Sequence, residues 1–84
     1  KITIVFNENI DTQDVNIRPV VGGDVPAEWV SLKRPFYEIK GNRATLILPP
    51  NEYEALFLVG NQNRNVIHKF VLGEGESKTE KAEN

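Results

Sequence analysis

Apolar residues in this chain do not recur at helical spacing. They come in short runs rich in Val, Ile, Thr, Phe and Tyr, and each run is bounded by Gly, Pro, Asn or Asp. β-Branched and aromatic residues fit a pleated, half-buried surface, and the bounding residues are those that turns need. The runs read as strands over 1–6, 15–21, 28–33, 36–40, 43–48, 53–59 and 65–72. About seven short strands with turns at this spacing predict an all-β fold, a small antiparallel β-sandwich. With 84 residues there is room for one domain. Its core is modest, and without cysteine neither a disulfide nor a thiolate zinc site can add stability.

Three local features sharpen this reading. Gly41-Asn42 separates two strand runs, and both residues accept the positive φ of a primed hairpin turn. Pro19 removes a ladder donor, so its strand lies at an edge or bends there. The run Ala55-Leu56-Phe57-Leu58-Val59 is apolar on both faces. A strand covered on one side only would alternate. The strand Tyr53 to Val59 is therefore expected to be central, with core on one face and a covering surface, such as a partner in an assembly, on the other. Residues 1–72 form the expected sandwich domain. The segment 73–84 is charged and lacks large apolar side chains, so it cannot offset its ordering entropy and is expected to be a disordered tail.

The net charge of −2 names no partner, but one segment is basic: Lys33, Arg34, Lys40 and Arg43 stand against Glu38 alone. Phe36 and Tyr37 lie among these bases, an interleaving that holds single-stranded nucleic acid by stacking. A pI near 5.3 lacks the electrostatic footprint such a partner needs, which argues against nucleic acid. Bases on an exposed edge strand also block edge-to-edge aggregation, and that is the preferred reading. An anionic protein or glycan contacting Arg34 and Tyr37 is the sharper alternative. No apolar run approaches the roughly 20 residues that span a bilayer, so no membrane insertion is expected. The chain opens on Lys1 and has no methionine, which predicts an excised or processed piece of a longer protein.

The residues Ile47, Pro49, Tyr53 and Asn61 have the spacing of the corner before the sixth strand in fibronectin type III and related immunoglobulin-like modules. The opening segment, Ile2 to Asp11, resembles the start of bacterial immunoglobulin-like repeats: a strand, Phe6, a polar pair, then an acidic turn. The resemblance implies an immunoglobulin-like sandwich. It also implies that the Tyr53 hydroxyl hydrogen-bonds back to the backbone, the tyrosine corner of such folds.

Candidate chemistry is sparse. His68 is the only histidine, and Ser31 and Ser77 are the only serines. A catalytic triad needs an orienting partner and an oxyanion site, and neither is legible around them. Asn7, Asn9 and Asp11 set oxygen donors at alternate positions, as a calcium loop does, but the turn glycine and bidentate glutamate are missing. Glu52 and Glu54 would share one strand face with nothing to build a cleft around them. Trp29 is expected to be a core aromatic, with a solvent-facing sugar platform as the alternative.

The chain is therefore expected to be a non-enzymatic structural or binding module without cofactor or metal. Its setting would be a bacterial surface or secreted protein, or a phage virion, placing it outside the cell, at the cell surface or on the virion. Its contacts with a protein or glycan would run through loops at 22–26, 41–42 and 60–64. Asn61, Gln62, Asn63 and Arg64 form the leading candidate surface, because they offer donors and acceptors without a demand for burial. The alternatives are a capsid-decoration or oligomer-assembly domain and a carbohydrate-binding module.

Overall fold

The computed structural model describes residues 1–11, 14–20, 27–62 and 64–82. These residues form strands and turns without a helix: β1 (Ile2–Val5), β2 (Val15–Pro19), β3 (Val30–Leu32), β4 (Tyr37–Lys40), β5 (Arg43–Leu46), β6 (Asn51–Val59), β7 (Arg64–Leu72) and β8 (Lys78–Lys81). Two four-stranded sheets result, in the orders β4-β5-β1-β8 and β3-β2-β6-β7. They pack as a small β-sandwich.

Period-two alternation decides which residues meet between the sheets. Ile2 and Ile4 of β1, Ala44 and Leu46 of β5, Val15 and Ile17 of β2, and Tyr53, Ala55, Phe57 and Val59 of β6 all face inward and are buried. Phe6 meets Phe57 edge-on with ring centroids 4.9 Å apart, and Tyr53 lies 5.7 Å from Phe70. A fully buried large apolar side chain contributes about 2–3 kcal/mol. An exposed pair such as Lys40–Glu38, at 3.4 Å, contributes under about 1 kcal/mol. Interlayer burial, not surface charge, holds the sheets together.

The turns follow the sequence. Gly41 has φ +60° and, with Asn42, closes the β4–β5 hairpin, in which Lys40 pairs with Arg43. This turn is fastened to the β1–β2 connection: Phe6 N–H donates to the Asn42 carbonyl at 2.8 Å, Ile10 N–H to Gly41 at 2.9 Å, and Asn42 Nδ2 to the Phe6 carbonyl at 2.9 Å. Gly60, with φ +79°, donates to the Asn9 carbonyl at 2.9 Å, so the β6–β7 turn sits at the same end. Pro19 is the last residue of β2, beyond the final β2–β3 partner Ile17–Val30, so its missing N–H costs no ladder bond to β3. Tyr53 Oη donates to the Pro49 carbonyl at 2.8 Å. The hydrogen bond of a tyrosine corner is thus present.

Strand order adds a finding that short-range patterning does not contain. The immunoglobulin arrangement groups the first, second, fourth and fifth strands against the third, sixth and seventh. Here β2 pairs with β3 and β6, while β1 pairs directly with β5.

A second difference lies in the segment expected to be a disordered tail. Within it, Lys78–Lys81 forms β8 and pairs in parallel with β1, and Ala82 is buried. Hydrogen bonds and ion pairs take the place of apolar burial there. Glu76 caps the turn by accepting from Gly73 N–H at 2.8 Å, and Ala82 N–H donates to the Val5 carbonyl at 2.9 Å. Inward-facing Glu80 meets His68 Nε2 at 2.9 Å and Lys78 Nζ at 3.2 Å, and Lys78 also donates to the Val71 carbonyl. Polar contacts seal the sandwich along β7 and β8.

Candidate interaction surface

The outward faces of the two sheets differ, and the difference comes from which residues alternate with the core. On the first sheet the outward positions include Thr3, Thr45, Glu38, Arg43 and Lys40. Thr3 and Thr45 pair directly in the ladder, with their hydroxyls 3.3 Å apart. This is an ordinary solvated face.

Beyond the outward pair Glu52–Val71, the second sheet presents three further successive rows. In the first, Trp29 lies beside Arg18, whose guanidinium is 4.2 Å from the indole centroid. Arg18 Nε reaches Glu54 Oε1 at 3.0 Å, and Glu54 stands opposite Lys69 in the β6–β7 ladder. The second row is Ser31, Asn16, Leu56 and Ile67, and the third ends in Leu58 and Asn65. Ile67 is 51% exposed, and Leu56 and Leu58 are half-buried. The central position of β6, between β2 and β7, is the one its two apolar faces required. A shallow hollow of about 430 Å³ opens over Leu56 and Leu58, rimmed by Asp11, Asp14, Asn16 and Asn65. Among the described residues, neither Asp11 nor Asp14 has a basic partner within 4.0 Å.

Trp29 departs from its expected place in the core. β3 begins only at Val30, and the preceding residue turns to the outer face, where Arg18 supplies a cation for the ring. Tyr37, by contrast, is buried at 8% exposure, at the end of β4 away from the Gly41-Asn42 turn. Arg34 is exposed, with its guanidinium 5.2 Å from the Tyr37 centroid. Its hydrogen bond to Tyr37 raises its pKa.

The other candidate residues lie at the turn end. Asn61 and Gln62 are exposed, and Arg64 opens β7 with its guanidinium 3.3 Å from Glu8. Asn63 and the loop at 22–26 lie outside the described residues. Because Gly41 and Gly60 both bond to the Asn9–Ile10 segment, Asn61, Gln62 and Arg64 lie at the Gly41 end of β4, with Arg34 and Tyr37 at the other. The structure does not bring those two groups together.

Among the described residues, the side chains weighed for catalysis lie apart from one another. His68 faces β8 and meets Glu80, and Ser31 Oγ donates to Asn16 on the outer face at 3.2 Å. Glu52 and Glu54 share the outer face of β6, each held in an ion pair, with Lys69 at 3.2 Å and Arg18 at 3.0 Å. Burial pushes the Glu80 carboxyl up, but hydrogen bonds from His68 and Lys78 and the lysine charge outweigh it, leaving the pKa below the ordinary carboxylate value. Burial raises the Tyr53 phenol. These shifts have structural causes. Among the described residues, no three His, Asp or Glu side chains converge to hold a metal ion.

The sequence signal for this surface is the lack of alternation in β6, where Leu56 and Leu58 make the second face apolar. The contribution of Asp11, Asp14 and Asn16 has no such signal, because those residues arrive from the β1–β2 connection and the neighbouring strand. No protein-family model, curated protein or solved structure matches the chain.

Proposed function

We propose that this chain is a non-enzymatic binding module that meets a protein partner through the outer face of β6 and β7. The observation that carries the reading is the contrast between the two sheet faces. Leu56, Leu58 and Ile67 form an apolar cluster on one, where the other carries threonines and charges. An apolar cluster rimmed by polar groups is the usual anatomy of a contact surface. The turn residues Asn61, Gln62 and Arg64 would form the rim of that contact rather than its centre. A module of a surface, secreted or virion assembly would use such a face to join neighbouring subunits.

The double variant Leu56→Lys with Ile67→Lys tests this. Sedimentation equilibrium at millimolar concentration should show association of the native chain and a monomeric variant of unchanged melting temperature. A variant that unfolds would make both residues structural, and a native chain that stays monomeric would remove the reading.

A second reading has its own observation. Trp29 lies on the same outer face, beside Arg18, Asn16 and Ser31, an aromatic with hydrogen-bonding neighbours of the kind sugars use. Protection of Trp29 fluorescence by a soluble polysaccharide would favour it over the protein partner.

A further inference from the structure

A second apolar surface lies on another side of the molecule. Between the edge strands β3 and β4, where the chain crosses from one sheet to the other, Leu32, Phe36, Ile47, Leu48 and Pro49 line a hollow of about 500 Å³. Phe36 and Ile47 are half-exposed, at 50% and 51%, although the Ile47 amide is fixed to the Phe36 carbonyl at 2.9 Å. The groove is therefore held in shape by backbone bonding while its side chains remain in water. Lys33 and Arg34, in the same crossing, are exposed. Among the described residues, neither has a carboxylate within 4.0 Å.

The two surfaces complement each other. The hollow over Leu56 and Leu58 is apolar with Asp11 and Asp14 on its rim. The groove is apolar, and the exposed Lys33 and Arg34 lie in the chain between its lining residues Leu32 and Phe36. They share no residue, and one lies on a sheet face, the other on the side between the sheets. Opposite rims steer and orient a docking pair, while like rims repel. Two acidic faces, or two basic grooves, brought together would put like charges around an apolar centre.

We infer that the partner of the Leu56–Leu58 face is a second copy of this chain, docked by its Leu32–Phe36–Ile47 groove in a head-to-tail contact. This rests on the reading of that face as the contact surface. Joining unlike patches leaves one free patch of each kind on every dimer, so the contact propagates into rings or filaments instead of stopping at two. Its rim charges make it weaker in salt.

Two charge-reversal variants separate the possibilities, because each gives the two patches of one chain the same charge. Asp11→Lys with Asp14→Lys leaves the groove intact, and Lys33→Glu with Arg34→Glu leaves the face intact. By sedimentation velocity and light scattering, the native chain should grow past dimer with concentration. Each variant alone should associate at least about tenfold more weakly, because reversal sets like charges against each other across the contact. An equimolar mixture of the two should recover association and grow past dimer in alternation, since the basic groove of one meets the acidic face of the other and its reversed, basic face meets the reversed, acidic groove. If the lysine variant of Leu56 and Ile67 is monomeric but Lys33→Glu with Arg34→Glu associates like the native chain, the face binds something other than the groove. The head-to-tail inference then fails while the reading of the face stands. If the Leu56 and Ile67 variant also associates normally, both fail. A mixture that remains monomeric, or a native chain that stops at dimer, overturns the inference as well.

Discussion

The Tyr53 hydroxyl has one structural task, a 2.8 Å bond to the Pro49 carbonyl across the corner that starts β6. Tyr53→Phe keeps the ring against Phe70 and removes only that bond, so it should cost about 1 kcal/mol. Urea unfolding should show a lower midpoint at unchanged slope. The pH dependence has a definite sign. Burial raises the phenol pKa in the folded state, so the protonated form is favoured by folding. That contribution is complete below the unfolded pKa, about 10, and is lost as pH rises through the folded value. The phenylalanine variant should lack that part of the alkaline loss. At Gly60 the backbone has φ +79°, and an added Cβ would stand 2.3 Å from Glu8 Oε2. Gly75 has φ +69° with open space around it. Left-handed backbone alone costs a non-glycine residue about 1–2 kcal/mol. Gly75→Ala should show that cost in thermal melts. Gly60→Ala should exceed it, because Glu8 must also move from Arg64, 3.3 Å away. Equal costs would mean that the carboxylate swings aside without loss.

Among the elements, β8 is held differently from the rest. Of its own side chains, Lys78 and Glu80 face inward, and both are charged. Glu80 bonds His68 and Lys78, and these contacts hold its pKa below the ordinary value despite the opposing effect of burial. A depressed carboxylate pKa contributes stability above the unfolded pKa, and that stability is lost as pH falls through the folded one. Glu80→Gln should therefore melt at a lower temperature than the native chain at neutral pH, and the two melting curves should converge as the solution is acidified. Parallel curves at all pH values would show that the charge of Glu80 is immaterial. The position of β8 is also the part of the fold least legible in the local sequence. Strands β1 to β7 follow from alternation and from Gly41, Asn42 and Gly60, all of which act between neighbours in the chain. β8 pairs with β1, from the opposite terminus, so local pattern carried no trace of it. The placement of β2 beside β6, and of Trp29 over Arg18, depended on the same kind of distant pairing.

At the scale of the molecule, the first sheet depends on both ends of the chain. β1 lies between β5 and β8, so it is an interior strand only after the final strand has docked. The second sheet is more local: β2–β3 and β6–β7 are sequential antiparallel pairs, and one long-range pairing, β2 with β6, joins them. Sheets dominated by distant pairings fold slowly, in the range of about milliseconds to seconds, because loop closure precedes the contacts that reward it. The core of β1, β5, β2 and β6 contains the large buried side chains, including Phe57, Ile2, Ile4 and Leu46. The contacts of β8 are mostly ladder bonds and charge pairs along one side. Burial of the core can therefore precede the docking of β8, which makes β8 a late element. A chain ended at Gly73 should refold at nearly the native rate and unfold faster by roughly tenfold, since late contacts act on unfolding alone. Stopped-flow chevrons monitored by Trp29, which sits on the β2–β3 pair and not on β8, would read both limbs. A matching fall in the folding rate would instead place the β1–β8 pairing inside the folding nucleus, and the two termini would then have to meet before the sandwich could close.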